Sequence, residues 1–324
     1  MVRDDDARWL YAAASLGLRA RPLSAPNPAV GALIVKDGIV VGRGWTANGG
    51  RPHAEAIALE HAGARAKGAT LFVTLEPCAH KSPRGPACAD LVATSGLARV
   101  VIGCGDPDPR TNGEGLKRIA DAGIDTAITD HAPSRAGLAG FLVRETQVRP
   151  HITLKLAVSQ DGFIGPLSGE PVMLTGEIAR AHVHRQRALN EAICVGGNTL
   201  RNDAPRLDVR LPGLEDRSPR RLVLTRGHAP HGWARLPSPQ GVFSLADMQY
   251  LYVEGGGATA ATFLANGLVD ELHLYEAPMT LGEGIPAYGE MGPAQLSNPP
   301  RGFVLADRRR LGNDTLFIYQ PARN

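Results

Sequence analysis

The chain has 324 residues, 43% hydrophobic and 21% charged, a balance that excludes disordered, collagen-like and coiled-coil architectures and leaves room for about two globular domains. Its 35 Lys and Arg against 32 Asp and Glu give a formal charge of +3, and the scattered basic residues argue against a nucleic-acid partner. Four cysteines make no disulfide framework, three acids stand where a secretion signal would be basic, and no apolar run nears the ~20 residues of a membrane span, so a cytoplasmic protein with no membrane partner is expected.

Residues 7–19 carry apolar side chains at helical spacing and end at a Pro-rich stretch. GALIVKDGIVVGRG then reads as two strands joined at Lys36-Asp37-Gly38, where the Asp-Gly pair tolerates the positive φ of a tight turn. A helix opens near His53, ATLFVTL is a short buried strand, and EPCAH is expected to start another helix with Pro77 in its first turn. RVVIGCG, EGLKRIADAG and IDTAITD continue as strand, helix and strand. Residues 131–150 have the composition of a connection, and HITLKLAVSQDG opens a second α/β unit. There GEIARAHVHRQRALNEA is helical, AICVGG, RRLVLT and YLYVEGG are strands, and ATAATFLANGLVDELHLYEA reads helix then strand. Residues 209–247 show one clear strand, and the connection before HITLKLAVSQDG sets the predicted domains at 1–146 and 150–324.

His53-Ala54-Glu55 is followed by Pro77-Cys78 and, ten residues on, Cys88. One imidazole and two thiolates with an open fourth position suit a catalytic zinc, and a Glu beside such a site can shuttle protons without being a ligand. On this reading Cys78 sits at a helix N-terminus, where the dipole favours thiolate, and Cys88 comes from a loop. A structural zinc would want a fourth Cys or His; His80 is the near candidate for that role, or for a substrate contact.

The segments Ala25-Pro26-Asn27-Pro28-Ala29-Val30-Gly31, His53-Ala54-Glu55 and Thr74-Leu75-Glu76-Pro77-Cys78-Ala79-His80 resemble the bifunctional deaminase/reductases of riboflavin biosynthesis. That resemblance implies an N-terminal cytidine-deaminase-like α/β/α layered domain and a C-terminal dihydrofolate-reductase-like α/β domain. It implies zinc on His53, Cys78 and Cys88, proton transfer by Glu55, and substrate contacts from Asn27, His80 and Arg84. The substrate would be a phosphorylated aminopyrimidine, the second cofactor NADPH, and the assembly a homo-oligomer, dimer or tetramer. In the second half Lys155 to Gly162, His184, Arg187, Val195 to Thr199 and Asp203 to Arg210 follow the order of the family's reductase domain. Carried over, Ala157, Met173, Thr199 and Asp203 line the NADPH site, while Arg187, Leu207, Arg210 and Glu254 face the phosphorylated substrate.

The chain departs from the family pattern at four places. Thr46 replaces a histidine, the Lys81 to Cys88 loop is one residue longer, Pro171-Val172-Met173 replaces Ser-x-Trp, and residues 224–251 are shorter. The competing expectations are a deaminase with a degenerate second domain, another zinc nucleobase deaminase, and a non-enzymatic zinc module.

Overall fold

A computed structural model describes residues 3, 5–80, 82, 84–170, 172–288 and 300–322, and the chain divides into two compact units, Met1–Val148 and Arg149–Asn324. Lys81 and Pro171, which belong to two of the departures above, lie outside the described residues.

The first unit runs α1 (Asp6–Gly17), β1 (Gly31–Lys36), β2 (Ile39–Trp45), α2 (Ala54–Ala62), β3 (Thr70–Val73), α3 (Cys88–Ala93), β4 (Arg99–Ile102), α4 (Glu114–Asp121), β5 (Asp125–Ile128), α5 (Ala132–Gly137) and α6 (Ala139–Gln147). Its sheet has the order β2-β1-β3-β4-β5, antiparallel at β1 and parallel from β3 to β5. The β1–β2 turn has positive φ at Asp37 (49°) and Gly38 (75°), as the sequence predicts. Alternation along the strands splits the core: Leu33, Val35, Phe72 and Val101 pack on Leu10 and Ala13 of α1, whereas Ala32, Ile34, Leu71 and Val100 face Ala54, Ala58 and Val92. Each fully buried Leu, Ile or Val contributes roughly 1.5–3 kcal/mol, so both helical layers are fixed by these rows. Helix α2 lies unusually close to β2, because a Cβ on Gly42 or Gly44 would sit 2.3 Å from the Ala58 or Ala54 carbonyl oxygen. That approach sets the position of His53 and Glu55 at the helix start.

One ion pair ties α1 to this sheet. Arg99 donates two 2.8 Å bonds to Asp6, with both side chains at most 4% exposed. Burial alone would raise the Asp6 pKa, but its bonds from Arg99 and the Arg3 amide outweigh that and hold it low. A depressed carboxyl pKa stabilises the fold above the unfolded-state value and loses that contribution as pH falls through the folded one. Asp6→Ala, which leaves a buried guanidinium behind, is expected to cost about 3 kcal/mol, read as a lower urea midpoint at neutral pH. A loss under about 0.5 kcal/mol would mean the pair is energetically idle.

The second unit runs β6 (His151–Val158), β7 (Phe163–Gly165), α7 (Glu177–Ala188), β8 (Ala192–Gly196), α8 (Gly197–Asp203), β9 (Arg220–Leu224), β10 (Ala234–Leu236), β11 (Tyr250–Glu254), α9 (Gly257–Ala265), β12 (Glu271–Glu276), β13 (Ile285–Pro286), β14 (Phe303–Leu311) and β15 (Asp314–Pro321). The main sheet has the order β10-β9-β8-β11-β6-β12-β15-β14, parallel from β10 to β12 and antiparallel beyond. One face packs Leu154, Cys194, Val253 and Leu274 against Ala260 and Phe263 of α9; the other packs Ile193, Val195, Tyr252 and Tyr275 against Ala179 and Val183 of α7. The carboxyl ends of β6, β8, β9 and β11 therefore open on one edge, where parallel sheets bind ligands.

Three expectations change. Residues 76–80 are not helical, because the Glu76 amide is tied to the Cys104 carbonyl beyond β4 and Cys78 is tied to the start of α3. Residues 132–147 form α5 and α6, packed through Leu138 and Phe141 into the first core, rather than a connection. The 209–247 stretch holds two strands, β9 and β10, not one.

Candidate active sites

His53 is the N-cap residue of α2, and its Nδ1 lies 3.6 Å from Cys78 Sγ and 3.3 Å from Cys88 Sγ. Tetrahedral zinc with bonds of about 2.0–2.3 Å holds such ligand atoms roughly 3.5–3.8 Å apart, so the donor set fits the ion. All three ligand atoms lie within 4.8 Å of one another, the one such His/Cys/Asp/Glu group among the described residues. The helix assignment of the two thiols is reversed from the sequence expectation. Cys88 opens α3, while Cys78 precedes it in a loop and caps it, its sulfur accepting the Cys88 amide (3.4 Å) and its carbonyl the Ala89 amide (3.1 Å). Those bonds have an electrostatic result. Hydrogen bonding from Cys88, with His53 assisting against burial, brings the Cys78 thiol down, while the same contact and burial push Cys88 up.

The remaining ring nitrogen of His53 is also held. Asn27 Nδ2 is 2.9 Å from His53 Nε2 and 2.9 Å from the Gly50 carbonyl oxygen. The Asn27 carboxamide thus lies against the ring nitrogen that does not face the thiols and is itself fixed by its bond to the Gly50 carbonyl. Thr46, at the position where the family has histidine, is a staple: its hydroxyl donates to the Pro28 carbonyl (2.8 Å) and accepts from the Val30 amide (3.1 Å). It fixes the Pro26-Asn27-Pro28 turn.

These groups open on a cavity of about 630 Å³ lined by Asn27, His53, Glu55, Cys78 and His80. Glu55 is 3% exposed; burial raises its pKa, opposed by His53 and reinforced by Cys78. Arg84 does not line this cavity; it reaches away to donate to the Gly49 carbonyl at 2.6 Å. Sequence reasoning missed Asp106, Asp108, Arg110, Arg144 and Glu145, which complete the wall. The two aspartates follow the carboxyl end of β4, which is the signal that could have found them. Burial, offset by the Asp108 amide and reinforced by the charges of Asp108, Glu76 and Glu145, pushes Asp106 up to about 7. Asp108 is held low by its bonds from Arg110, against burial.

In the second unit a cavity of about 1220 Å³ is lined by every residue assigned to the reductase from the sequence: Ala157, Met173, Thr199, Asp203, Arg187, Leu207, Arg210 and Glu254. Arg187 projects from α7 and grips Glu254 through Nε (2.6 Å) and Nη2 (2.9 Å), with Nη1 on the Asp208 carbonyl (2.9 Å). It is therefore a clamp on Glu254 rather than an open fork. Burial raises the Glu254 pKa, but Arg187 and Lys155 outweigh it and hold the carboxylate low. Lys155 was missed: it lines the same cavity, and burial, partly offset by Glu254, lowers its pKa. It belongs to the Lys155 to Gly162 segment that carries the resemblance, and its alternation with buried Leu154 and Leu156 on β6 puts it on the α7 face. Met173 is 71% exposed and leaves an open wall where an aromatic ring would close it.

A second groove of about 1810 Å³ adjoins the first through Thr199, Asp203 and Gly256. Its floor is backbone at Gly196, Gly197 and Gly256, with the Gly257 start of α9, a surface that lets a pyrophosphate approach amide donors. The residues present fit a nicotinamide dinucleotide.

A metal-cage α/β/α unit followed by a dinucleotide-groove sheet defines a zinc deaminase joined to a reductase. The family model "Cytidine and deoxycytidylate deaminase zinc-binding region" matches residues 3–104, and "RibD C-terminal domain" matches 150–243 and 242–317. The riboflavin biosynthesis protein RibD of Aquifex aeolicus is 35% identical over 90% of this chain and 92% of its own, and that of Corynebacterium ammoniagenes 38% over 85% and 87%. The solved RibD structure of Acinetobacter baumannii, at 31% identity, covers 98% of this chain and 99% of its own with a TM-score of 0.85. The chain belongs to the RibD family, the bifunctional deaminase/reductases of riboflavin biosynthesis, with zinc and NADPH as cofactors.

Proposed function

We propose that the first unit deaminates 2,5-diamino-6-ribosylamino-4(3H)-pyrimidinone 5-phosphate and that the second, over residues 150–324, reduces the ribosyl group of the product to ribityl. The observation that carries the reading is the His53, Cys78 and Cys88 cage with the buried Glu55 beside it in one cavity. When bound, zinc supplies the Lewis acidity that makes water a nucleophile near neutral pH. Glu55 takes a proton from that water and delivers it to the departing amine, which leaves as ammonia. Asn27 orients the His53 ring and contacts the pyrimidine, and His80 and Asp106 face its polar edge. Arg84 supports the reading only as a clamp on the Gly49 backbone.

In the second unit NADPH, when bound, supplies the hydride to the sugar carbon. Ala157, Thr199, Asp203 and Met173 hold the cofactor side. Arg210, half exposed at the mouth, takes the 5-phosphate with Leu207 below it, and the Arg187–Glu254 clamp orients the ribose. Lys155 gives its proton to the ring oxygen as the sugar opens.

The described residues hold no helix long and apolar enough to cross a membrane. The four cysteines are free and buried, which supports a cytoplasmic setting. A homo-oligomer is favoured by β14, a long sheet edge with Val304 and Leu305 about half exposed.

Incubation of the zinc-loaded protein with the aminopyrimidine phosphate, analysed by mass, is expected to give the deaminated product alone without NADPH and the deaminated, reduced product with it. Deamination alone would leave the second unit a binding domain, and no conversion would reject the substrate.

A further inference from the structure

The α7 face of the second sheet carries a polar row that the hydride step does not use. Lys155 of β6 is flanked in register by Glu254 of β11 and by His273 of β12. Tyr252 stands two residues before Glu254 and Tyr275 two after His273, on the same face, so the two phenols lie diagonally to either side of Lys155. Tyr252, His273 and Tyr275 are at most 3% exposed. The Tyr275 hydroxyl is 2.8 Å from Nδ1 of His182 on α7, a residue that keeps part of its surface in solvent. The Tyr252 hydroxyl makes no hydrogen bond of good geometry, though the Tyr275 hydroxyl is near enough to bear on its ionisation. Packing alone would be served better by Phe at 252, which buries no unpaired hydroxyl. The outer donors also have a direction. The Gln186 carboxamide nitrogen, 3.3 Å from His182 Nε2, can only donate, so Nε2 accepts and Nδ1 carries its proton toward Tyr275. Burial, with the charges of His273, Arg185 and Arg309, brings the His182 ring down to about 4, so at neutral pH it is an N–H donor rather than a fixed cation.

We infer that His182, Tyr275 and Tyr252 form a proton relay that recharges Lys155 from solvent while substrate and NADPH fill the cavity above it. The inference rests on the reductase reading, in which Lys155 protonates the ring oxygen, and adds where the next proton comes from. Hydride makes the new C–H bond, the ring C–O bond breaks with its electron pair going to oxygen, NADPH becomes NADP⁺, and one proton is consumed per turnover. Lys155 gives that proton, and its amine then takes the Tyr252 proton. Tyr252 is refilled by Tyr275, and Tyr275 by Nδ1 of His182, while solvent returns a proton at Nε2. Lys155 lines the cavity that the ligands occupy, so bound ligands cover its other route to water.

The test compares one turnover with many, in the zinc-loaded full chain given the deaminated pyrimidine phosphate and NADPH, with NADPH oxidation followed by absorbance. With enzyme in excess, Tyr252→Phe, Tyr275→Phe and His182→Ala are each expected to oxidise NADPH within about threefold of the parent rate, because Lys155 starts charged. With substrate in excess, turnover is expected to fall about 30-fold or more. Added imidazole should restore it in His182→Ala but not in Tyr275→Phe, and deamination should stay at the parent rate in all three. Tyr252→Phe removes an unpaired hydroxyl and keeps the ring, so the comparison stands even if the other two variants do not fold. Parent turnover in the variants would show that Lys155 recharges through the open cavity and would overturn the inference. Equal losses in the first and later turnovers, with no rescue by imidazole, would overturn it too, since a structural role gives that pattern. A parent that oxidises no NADPH would overturn the reductase reading itself.

Discussion

Glu55→Gln is expected to keep its zinc and to deaminate about 10³-fold or more slowly than the parent. The carboxyl is not one of the three atoms of the cage, so metal content should not change. What changes is the ability to hold a proton between its removal from water and its delivery to the amine. The amide has the same shape, so packing around a residue only 3% exposed is preserved and the loss is chemical rather than structural. Metal analysis and ammonia release measured together check this. A variant within tenfold of the parent would remove Glu55 from proton transfer, and a variant stripped of zinc would make it part of the cage.

Glu254→Gln should destabilise the second unit by about 3 kcal/mol and abolish reduction while leaving deamination at the parent rate. Arg187 and Lys155 share this carboxylate in a buried setting, and neutralising it strands both cations. Because the Glu254 pKa is held low, the pair's contribution is present at neutral pH and is lost only on acidification through that depressed value. Arg187→Gln in the same chain should restore part of the stability, since the pair is then replaced rather than broken, but not the reduction. Urea unfolding followed through Trp233 measures the first effect. Full stability in the single variant would show the clamp to be solvated and the burial argument wrong.

The strand and helix alternation was legible because apolar residues repeat at the periods that two-sided burial demands, as at Leu33, Val35, Ala32 and Ile34 on β1. The metal ligands were legible for a different reason. Few residue types bind zinc, and His53, Cys78 and Cys88 arrive in a short window. Which cysteine starts a helix was not legible, because that depends on bonds from α3 and from Cys104, distant in the chain, that hold the Glu76 to Cys78 segment out of helical geometry. The same holds for α6: Phe141, Arg144 and Glu145 read as a connection until Leu138 and Phe141 are seen in the core. Arg84 matched a motif position, yet its guanidinium is taken by the Gly49 carbonyl, 35 residues away in the chain, and does not line the cavity. In the second unit the eight assigned residues converge as the order of motifs implied, but the Arg187–Glu254 pairing depends on a helix and a strand 67 residues apart.

Glu76, between β3 and Cys78, points its carboxylate not at the metal cage but at the start of α4, accepting the Gly113 amide at 3.1 Å and the Leu116 amide at 3.0 Å. The loop bearing Cys78 is thus fastened by protein alone, and α3, α2 and the Asn27 turn fasten the other ligands. The free energy of metal capture is therefore not consumed in assembling the polypeptide, as it is in a zinc finger. Emptied by a chelator, such a cage stays in shape and can be recharged with cobalt, whose visible absorption would report on the ligand field from inside the folded protein.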